Sequence, residues 1–188
     1  MKTRLAVSIG DEEACHAYSQ IAHHCLNTLS KYPEVELRFA PDEAAGEVAL
    51  FSKSVRWSLK PQGEGDLGQR MFRAADETLS ECDGILILGT DCPYIERDDL
   101  DEAITALHTS DLVLGPALDG GYWAIGLRNP HPELFQNIAW STDQVFNQTC
   151  DQAQQLGLSI HELRKLEDVD DLESWRRFQK YLGRSYPS

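Results

Sequence analysis

The side chains best placed for chemistry in this 188-residue chain are aspartates in loops. Asp91 follows the stretch Gly84-Ile85-Leu86-Ile87-Leu88-Gly89-Thr90 and precedes Cys92-Pro93. Four consecutive large aliphatics read as a central strand covered on both faces, as in a parallel sheet flanked by helices. Pro93 cannot donate to a ladder, so the strand stops there. Asp91 then stands just beyond the carboxyl end of a strand, where open α/β sheets bind their ligands. A carboxylate in that place can ionise and hold a metal ion, or it can simply cap the next turn. Asp119 lies in Ala117-Leu118-Asp119-Gly120-Gly121-Tyr122, and Asp168 and Asp170 lie in Asp168-Val169-Asp170-Asp171. A hard divalent cation needs oxygen from one or two such carboxylates, leaving positions for substrate phosphates and water. Parallel strand ends would bring the three loops to one edge of the sheet. The alternatives are a turn before Gly-Gly for Asp119 and a helix N-cap with first-turn acids for Asp168 and Asp170. By sequence alone the second of these is the simpler reading.

Other residues extend the set. Gly120 and Gly121 permit positive φ or a close approach of backbone to ligand. The adjacent Tyr122 and Trp123 would turn one ring to a pocket and the other to the core, although core packing is the simpler fate of each. Lys2 and Arg4 point the same way in an extended chain and could neutralise a diphosphate; a disordered basic start is the alternative. The loop Gly63-Glu64-Gly65-Asp66-Leu67-Gly68 opens a helix whose N–H groups could hold an anion or a base edge, with Asp66 as its N-cap. The six histidines show no metal spacing and no serine sits in a G-x-S-x-G elbow, so covalent catalysis is not expected.

These loops need a scaffold. Helices are expected from Asp11, with Ala14, Tyr18, Ile21, Cys25 and Leu29 as one stripe, over Ala44–Ser52, and after Asp66, with Leu67, Met71, Ala74, Thr78 and Leu79 inward. Further helices are expected over Asp98–His108 with Leu100, Ile104 and Leu107 inward, from Ser141 or Thr142 to Leu156, and from Asp170 through Trp175, Phe178 and Leu182. Strands are expected over Val35–Ala40, Val55–Leu59, Asp111–Gly115, Tyr122–Leu127 and Leu158–Leu163. The alternation predicts one α/β domain over 1–188, three-layer α/β/α with a mainly parallel mixed sheet. The close pair Asp111–Leu127, with no helix between, requires at least one antiparallel member.

Composition limits the partners. A formal net charge of -14 argues against nucleic acid, which needs a basic footprint. An anionic substrate would then need a metal ion or a local basic cluster. Five cysteines without a C-x-x-C pair fit a reducing cytoplasm. No run approaches the roughly 18 apolar residues of a membrane span, and the N-terminus shows no signal peptide.

With these stretches in view, the chain resembles a bacterial family of GT-A-like transferases, sometimes called radical-SAM/selenodomain-associated transferases. That family lies near the molybdenum-cofactor and phospholactate guanylyltransferases. The resemblance rests on Lys2-Thr3-Arg4-Leu5, Gly65-Asp66-Leu67-Gly68-Gln69-Arg70, Gly89-Thr90-Asp91-Cys92-Pro93, Leu114-Gly115-Pro116-Ala117 with Asp119-Gly120-Gly121-Tyr122, Trp140-Ser141-Thr142, and Asp168-Val169-Asp170. It implies a nucleotide-diphospho-sugar transferase fold. It implies that Asp91 is a metal-binding aspartate and that Asp170 or Asp168 is the second ligand, for Mg2+ or Mn2+. Asp119 would serve the acceptor, Lys2 and Arg4 the phosphates, and Gly65, Asp66, Gly68, Thr90, Gly120, Gly121, Tyr122, Ser141 and Thr142 the nucleotide or substrate. Chains of that family carry a first strand and a glycine- and proline-containing loop ahead of the K-T-R-L stretch, whereas this sequence starts inside that loop. Either the protein begins upstream, or this form lacks the strand that shapes the base pocket, which would expose neighbouring strand edges. Asp171-Leu172-Glu173 also replaces a Thr-Pro-Glu tendency.

The expected activity is therefore divalent-metal-dependent transfer from a nucleotide diphosphate-sugar in the cytoplasm. The alternatives are a nucleotidyltransferase joining a nucleoside triphosphate to a phosphorylated acceptor, and a non-catalytic nucleotide-binding relative.

Overall fold

The structure is a computed structural model that describes residues 3–51 and 57–185. The chain opens with α1 (Thr3–Ile9), which buries Leu5, and α2 (Asp11–Leu29). Between them Gly10 adopts φ 88°, a conformation that glycine takes without a Cβ penalty. The buried stripe of α2 is Ala14, Ala17, Ile21 and Cys25. Tyr18, expected in that stripe, is 39% exposed, because Ala17 takes the inward place. Arg4 sits on a helix, and not in the extended chain in which Lys2 and Arg4 would point the same way. Lys2 lies outside the described residues.

Next come β1 (Glu36–Phe39), a 3-10 turn at Asp42–Ala44, α3 (Ala45–Phe51) and β2 (Ser58–Pro61). The strand expected to start at Val55 begins at Ser58 among the described residues, and Val55 lies outside them. β1 and β2 pair in parallel, from Glu36↔Ser58 to Phe39↔Pro61. Arg38 bonds Glu36 at 2.6 Å and Glu77 at 2.7 Å, and Lys60 reaches Glu77 at 2.8 Å. These bonds tie the small sheet to α4 (Leu67–Leu79).

The main sheet follows: β3 (Ile85–Leu88), then α5 (Arg97–Ala106), β4 (Leu112–Pro116), β5 (Tyr122–Leu127), a 3-10 turn at Pro132–Phe135, α6 (Val145–Gln155) and β6 (Ile160–Glu162). Helix α7 (Leu172–Ser185) closes the chain. The strand order is β3-β5-β4-β6. β5 is antiparallel to β3 and β4, and β6 is parallel to β4. Three of the four strands thus share one direction, as the mixed, mainly parallel reading expected.

Period-two alternation splits the sheet between two helical layers. Ile85, Ile87, Leu112 and Leu114 pack toward α4 and α6, while Leu86, Leu88 and Val113 pack toward α5 and the end of α2. A third cluster joins Leu5, Ile21, Val169, Trp175 and Phe178 from α1, α2 and α7. Among the described residues no helix is long and apolar enough to cross a membrane.

Four expectations change. β3 is covered on both faces but stands at the edge of the sheet formed by the described residues instead of its centre, and all four aliphatics are only half-buried. Strand order is long-range information that a local apolar run does not carry. Leu67 is 50% exposed and Ile104 is 43% exposed; in α4 Gly68 takes the inward position beside Ala74 and Ala75. Helix α6 starts at Val145, so neither Ser141, with φ 64°, nor Thr142 is its cap.

Candidate functional site

Four of the residues singled out in the sequence line one cleft of about 190 Å3: Arg4, Asp119, Asp168 and Asp170. Each arrives on a different support. Arg4 is brought by α1, which packs on α7. Asp119 lies in the turn from β4 to β5, closed by Ala117 N–H donating to the Gly121 carbonyl at 3.0 Å. Its Oδ1 accepts the Gly121 N–H at 2.9 Å, the Asx turn that was the structural alternative; a carboxylate keeps further lone pairs after one such bond.

The segment bearing Asp168 and Asp170 runs along the sheet end like an added strand. Leu163 N–H donates to Leu114 O at 2.8 Å, Leu166 N–H to Pro116 O at 3.0 Å and Leu118 N–H to Leu166 O at 2.9 Å. Val169 N–H then donates to the Asp91 carbonyl at 2.9 Å. That bond places the Asp91 loop directly beside the Asp168–Asp170 segment. The three acidic loops therefore meet at one end of the sheet, and Val169, wholly buried, pins their junction. Burial raises the Cys92 thiol well above its ordinary range, and the Asp168 carboxylate adds to the effect. Cys92 is thus a neutral packing residue.

A second anchor holds the same segment from outside. Arg164 bonds both carboxylate oxygens of Asp99, which is 4% exposed, and donates to the Tyr94 carbonyl at 3.1 Å. The Trp123 indole N–H donates to Arg164 O at 3.1 Å. Burial alone would raise the Asp99 pKa, but Arg164 and the Glu96 N–H hold it below the usual carboxylate range.

The remaining wall was not anticipated: Glu167, Ser174 and Arg177, with Leu118 and Asp171. Ser174 and Arg177 lie one helical turn apart on α7, beside the buried Trp175 and Phe178. The apolar stripe fixes their direction, which was the available signal. Asp171 caps α7: its Oδ1 accepts the Ser174 N–H at 2.8 Å, and bonds from Ser174 lower its pKa. The N-cap reading thus fits Asp171, one residue past Asp170.

Other expected ligand residues do not line this cleft. Thr90 adjoins Asp91, and its Oγ1 lies 3.2 Å from the Tyr18 hydroxyl. Asp66 caps α4, accepting the Gln69 N–H at 2.8 Å while Gln69 returns to its own N–H at 2.9 Å. Gly65, at φ 108°, makes room for that Gln69 side chain. A Cβ at Gly68 would meet the Phe135 carbonyl and the Trp140 ring. Gly120, at φ 90°, lies against the Asp143 backbone, so the close approach it permits is to the chain itself. Both aromatics of the Tyr122-Trp123 pair go to the core, Tyr122 against Trp140 with ring centres 6.5 Å apart. Thr142 Oγ1 donates to Ala139 O at 2.7 Å and Ser141 is exposed.

Among the described residues, no three His, Cys, Asp or Glu side chains come together as a metal-ligand set. Of the carboxylates expected to hold a cation, Asp168 and Asp170 line the cleft and Asp91 does not; Mg2+ is commonly held by one or two carboxylates and completed by substrate oxygens, without an all-protein cage.

The chain belongs to the family described as uncharacterized protein conserved in bacteria (DUF2064), which it matches over residues 25–142. It is 27% identical over 127 residues to the 2-phospho-L-lactate guanylyltransferase of Methanothermobacter thermautotrophicus, covering 68% of this chain and 56% of that protein. The chain thus spans about half the length of that curated relative. A crystal structure from Desulfovibrio desulfuricans G20, described as a candidate nucleotide-diphospho-sugar transferase, superposes with a TM-score of 0.85 over 99% of this chain and 91% of that one, at 24% identity. The 4-diphosphocytidyl-2C-methyl-D-erythritol synthase of Anaerococcus prevotii DSM 20548 gives a TM-score of 0.61 at 10% identity, covering 86% of this chain and 85% of that one. These likenesses establish a nucleotide-diphospho-sugar transferase fold.

Proposed function

We propose that this member of the family is a transferase that acts on a nucleotide diphosphate-sugar, with a divalent cation held between Asp91 and Asp170 or Asp168. The observation that carries the reading is the hydrogen bond from Val169 N–H to the Asp91 carbonyl, which joins the two acidic loops beside the cleft. When bound, Mg2+ or Mn2+ would neutralise charge on the departing diphosphate. Asp91 and the 168–170 carboxylates would orient that diphosphate, and Arg4, assisted by Lys2, would meet its oxygens from α1. Asp119 would position an acceptor hydroxyl and take its proton. Thr90, next to Asp91, would border the donor. The reading implies a nucleotide or nucleotide-sugar partner, no nucleic acid, and a cytoplasmic setting.

The sequence likeness to a guanylyltransferase favours a second reading, nucleotidyl transfer at the same cleft. There a phosphate oxygen of the acceptor would bond to the α-phosphorus of a nucleoside triphosphate. The bond from that phosphorus to the bridging oxygen would break, and pyrophosphate would leave. Product analysis separates the two. The protein is incubated with nucleotide sugars or with nucleoside triphosphates, in each case with Mg2+ or Mn2+ and a panel of hydroxyl and phosphate acceptors. Release of nucleoside diphosphate supports the first reading. Release of pyrophosphate that needs a phosphorylated acceptor supports the second and overturns the first. No turnover of either donor class would leave a non-catalytic nucleotide binder.

A further inference from the structure

One wall of the cleft is an ion pair whose geometry suits a ligand. Arg177 Nε lies 3.0 and 3.1 Å from the two carboxylate oxygens of Glu167, and Nη2 lies 2.6 Å from Oε1. Its Nη1 is 3.7 Å from the exposed Glu173. The same guanidinium edge, Nε with Nη2, can grip either a carboxylate or a phosphate. Both partners line the cleft, and Glu167 immediately precedes Asp168 in the acidic segment. The side chains are 51% and 23% exposed, and pairs so open to solvent contribute little net stability. Another oxyanion can therefore replace Glu167 at small cost. Arg4 supplies a second guanidinium to the same cleft and makes no ion pair among the described residues.

We propose that Arg177 binds a phosphoryl oxyanion in this cleft, taking it in exchange for Glu167. Glu167 then sets the affinity and keeps the cleft selective in a chain whose net charge of -14 otherwise repels anions. The source of the phosphoryl group, acceptor or donor, rests on the transfer reading given above; the binding itself does not.

The test is a 31P NMR titration of metal-free protein with inorganic phosphate, with folding of every variant checked by its thermal melt. Glu167→Gln should tighten phosphate binding about fivefold, and Arg177→Gln should weaken it about tenfold, effects smaller than those of fully buried charge pairs, as suits groups this open to solvent. Arg177→Lys keeps the charge without the fork and should fall between, which preserves the test should Arg177→Gln fail to fold. Glu81→Gln removes an equal charge from an exposed position outside the cleft, ahead of the start of β3, and should change affinity by less than about twofold because solvent screens it. Opposite signs for Glu167→Gln and Arg177→Gln support the exchange. Changes of the same sign, or a Glu167→Gln effect no larger than that of Glu81→Gln, overturn it. A second titration with GTP and Mg2+ identifies the source. If Arg177→Gln leaves that affinity intact, the phosphoryl group belongs to the acceptor; if affinity falls, it belongs to the donor. Because the first titration uses neither metal nor nucleotide, its failure is distinct from a failure of the transfer reading.

Discussion

At the scale of single residues, the site is held by groups that themselves do no chemistry. Asp99 is buried against the Arg164 fork, and Arg164 leads into the segment that carries Asp168 and Asp170. Replacing Arg164 with Met would leave a buried carboxylate with its backbone bond from Glu96 alone, at an expected cost of about 2 to 3 kcal/mol. The pH dependence follows from the sign of the shift. The folded-state pKa of Asp99 is depressed, so its contribution is present above the unfolded value of about 3.9 and fades as pH falls through the folded value. Denaturant melts of native protein and Arg164→Met should therefore differ at pH 7 and converge as pH falls through the lowered folded-state value of Asp99. The thiols give a second prediction. Cys92 is buried with its pKa raised, whereas Cys15 and Cys82 are exposed. Mass spectrometry after brief iodoacetamide treatment of the folded protein should find Cys15 and Cys82 modified and Cys92 untouched. Rapid labelling of Cys92 would reopen covalent catalysis.

At the scale of elements, what the sequence disclosed was local. Asp66 as an N-cap and the span of α2 depend on neighbours within a few residues, and both are observed. The same locality explains the misplacements. Gly65 and Gly68 resemble a ligand loop, yet Gly65 serves the capping box and Gly68 the contact with Phe135 and Trp140. Trp140 is 72 positions away from Gly68, beyond the reach of any local pattern. Asp66→Ala should cost about 1 kcal/mol of stability and leave nucleotide affinity unchanged; a large loss of affinity would return that loop to the binding site. Gly120→Ala should be worse, since φ 90° strains an L residue and its Cβ would meet the Asp143 backbone. A loss of about 2 kcal/mol or more is expected in urea unfolding, and an unchanged midpoint would contradict the packing seen there.

At the scale of the whole molecule, the fold class was legible because strands and helices alternate with clear periods, while strand order was not. The run Ile85–Leu88 announces a two-faced strand but says nothing of its neighbours, and among the described strands it stands beside β5 at the sheet's edge. The convergence of Asp119, Asp168 and Asp170 on one cleft was legible from strand-end positions alone, since parallel strands deliver their loops to one end. Arg177 and Glu167 were not, because ten residues and the start of a helix separate them. The junction of the Asp91 and Asp168–Asp170 loops is proposed to bind a nucleotide through a divalent cation. The most direct measurement is a thermal-shift panel of nucleotides and nucleotide sugars, each with and without Mg2+ or Mn2+, on native protein and on Asp91→Asn. Ligand at about 100 times its dissociation constant should stabilise the native protein by about 2.7 kcal/mol, only when metal is present. In Asp91→Asn that shift should vanish while the ligand-free protein still melts cooperatively as a folded domain. An equal, metal-independent shift in both proteins would contradict the account.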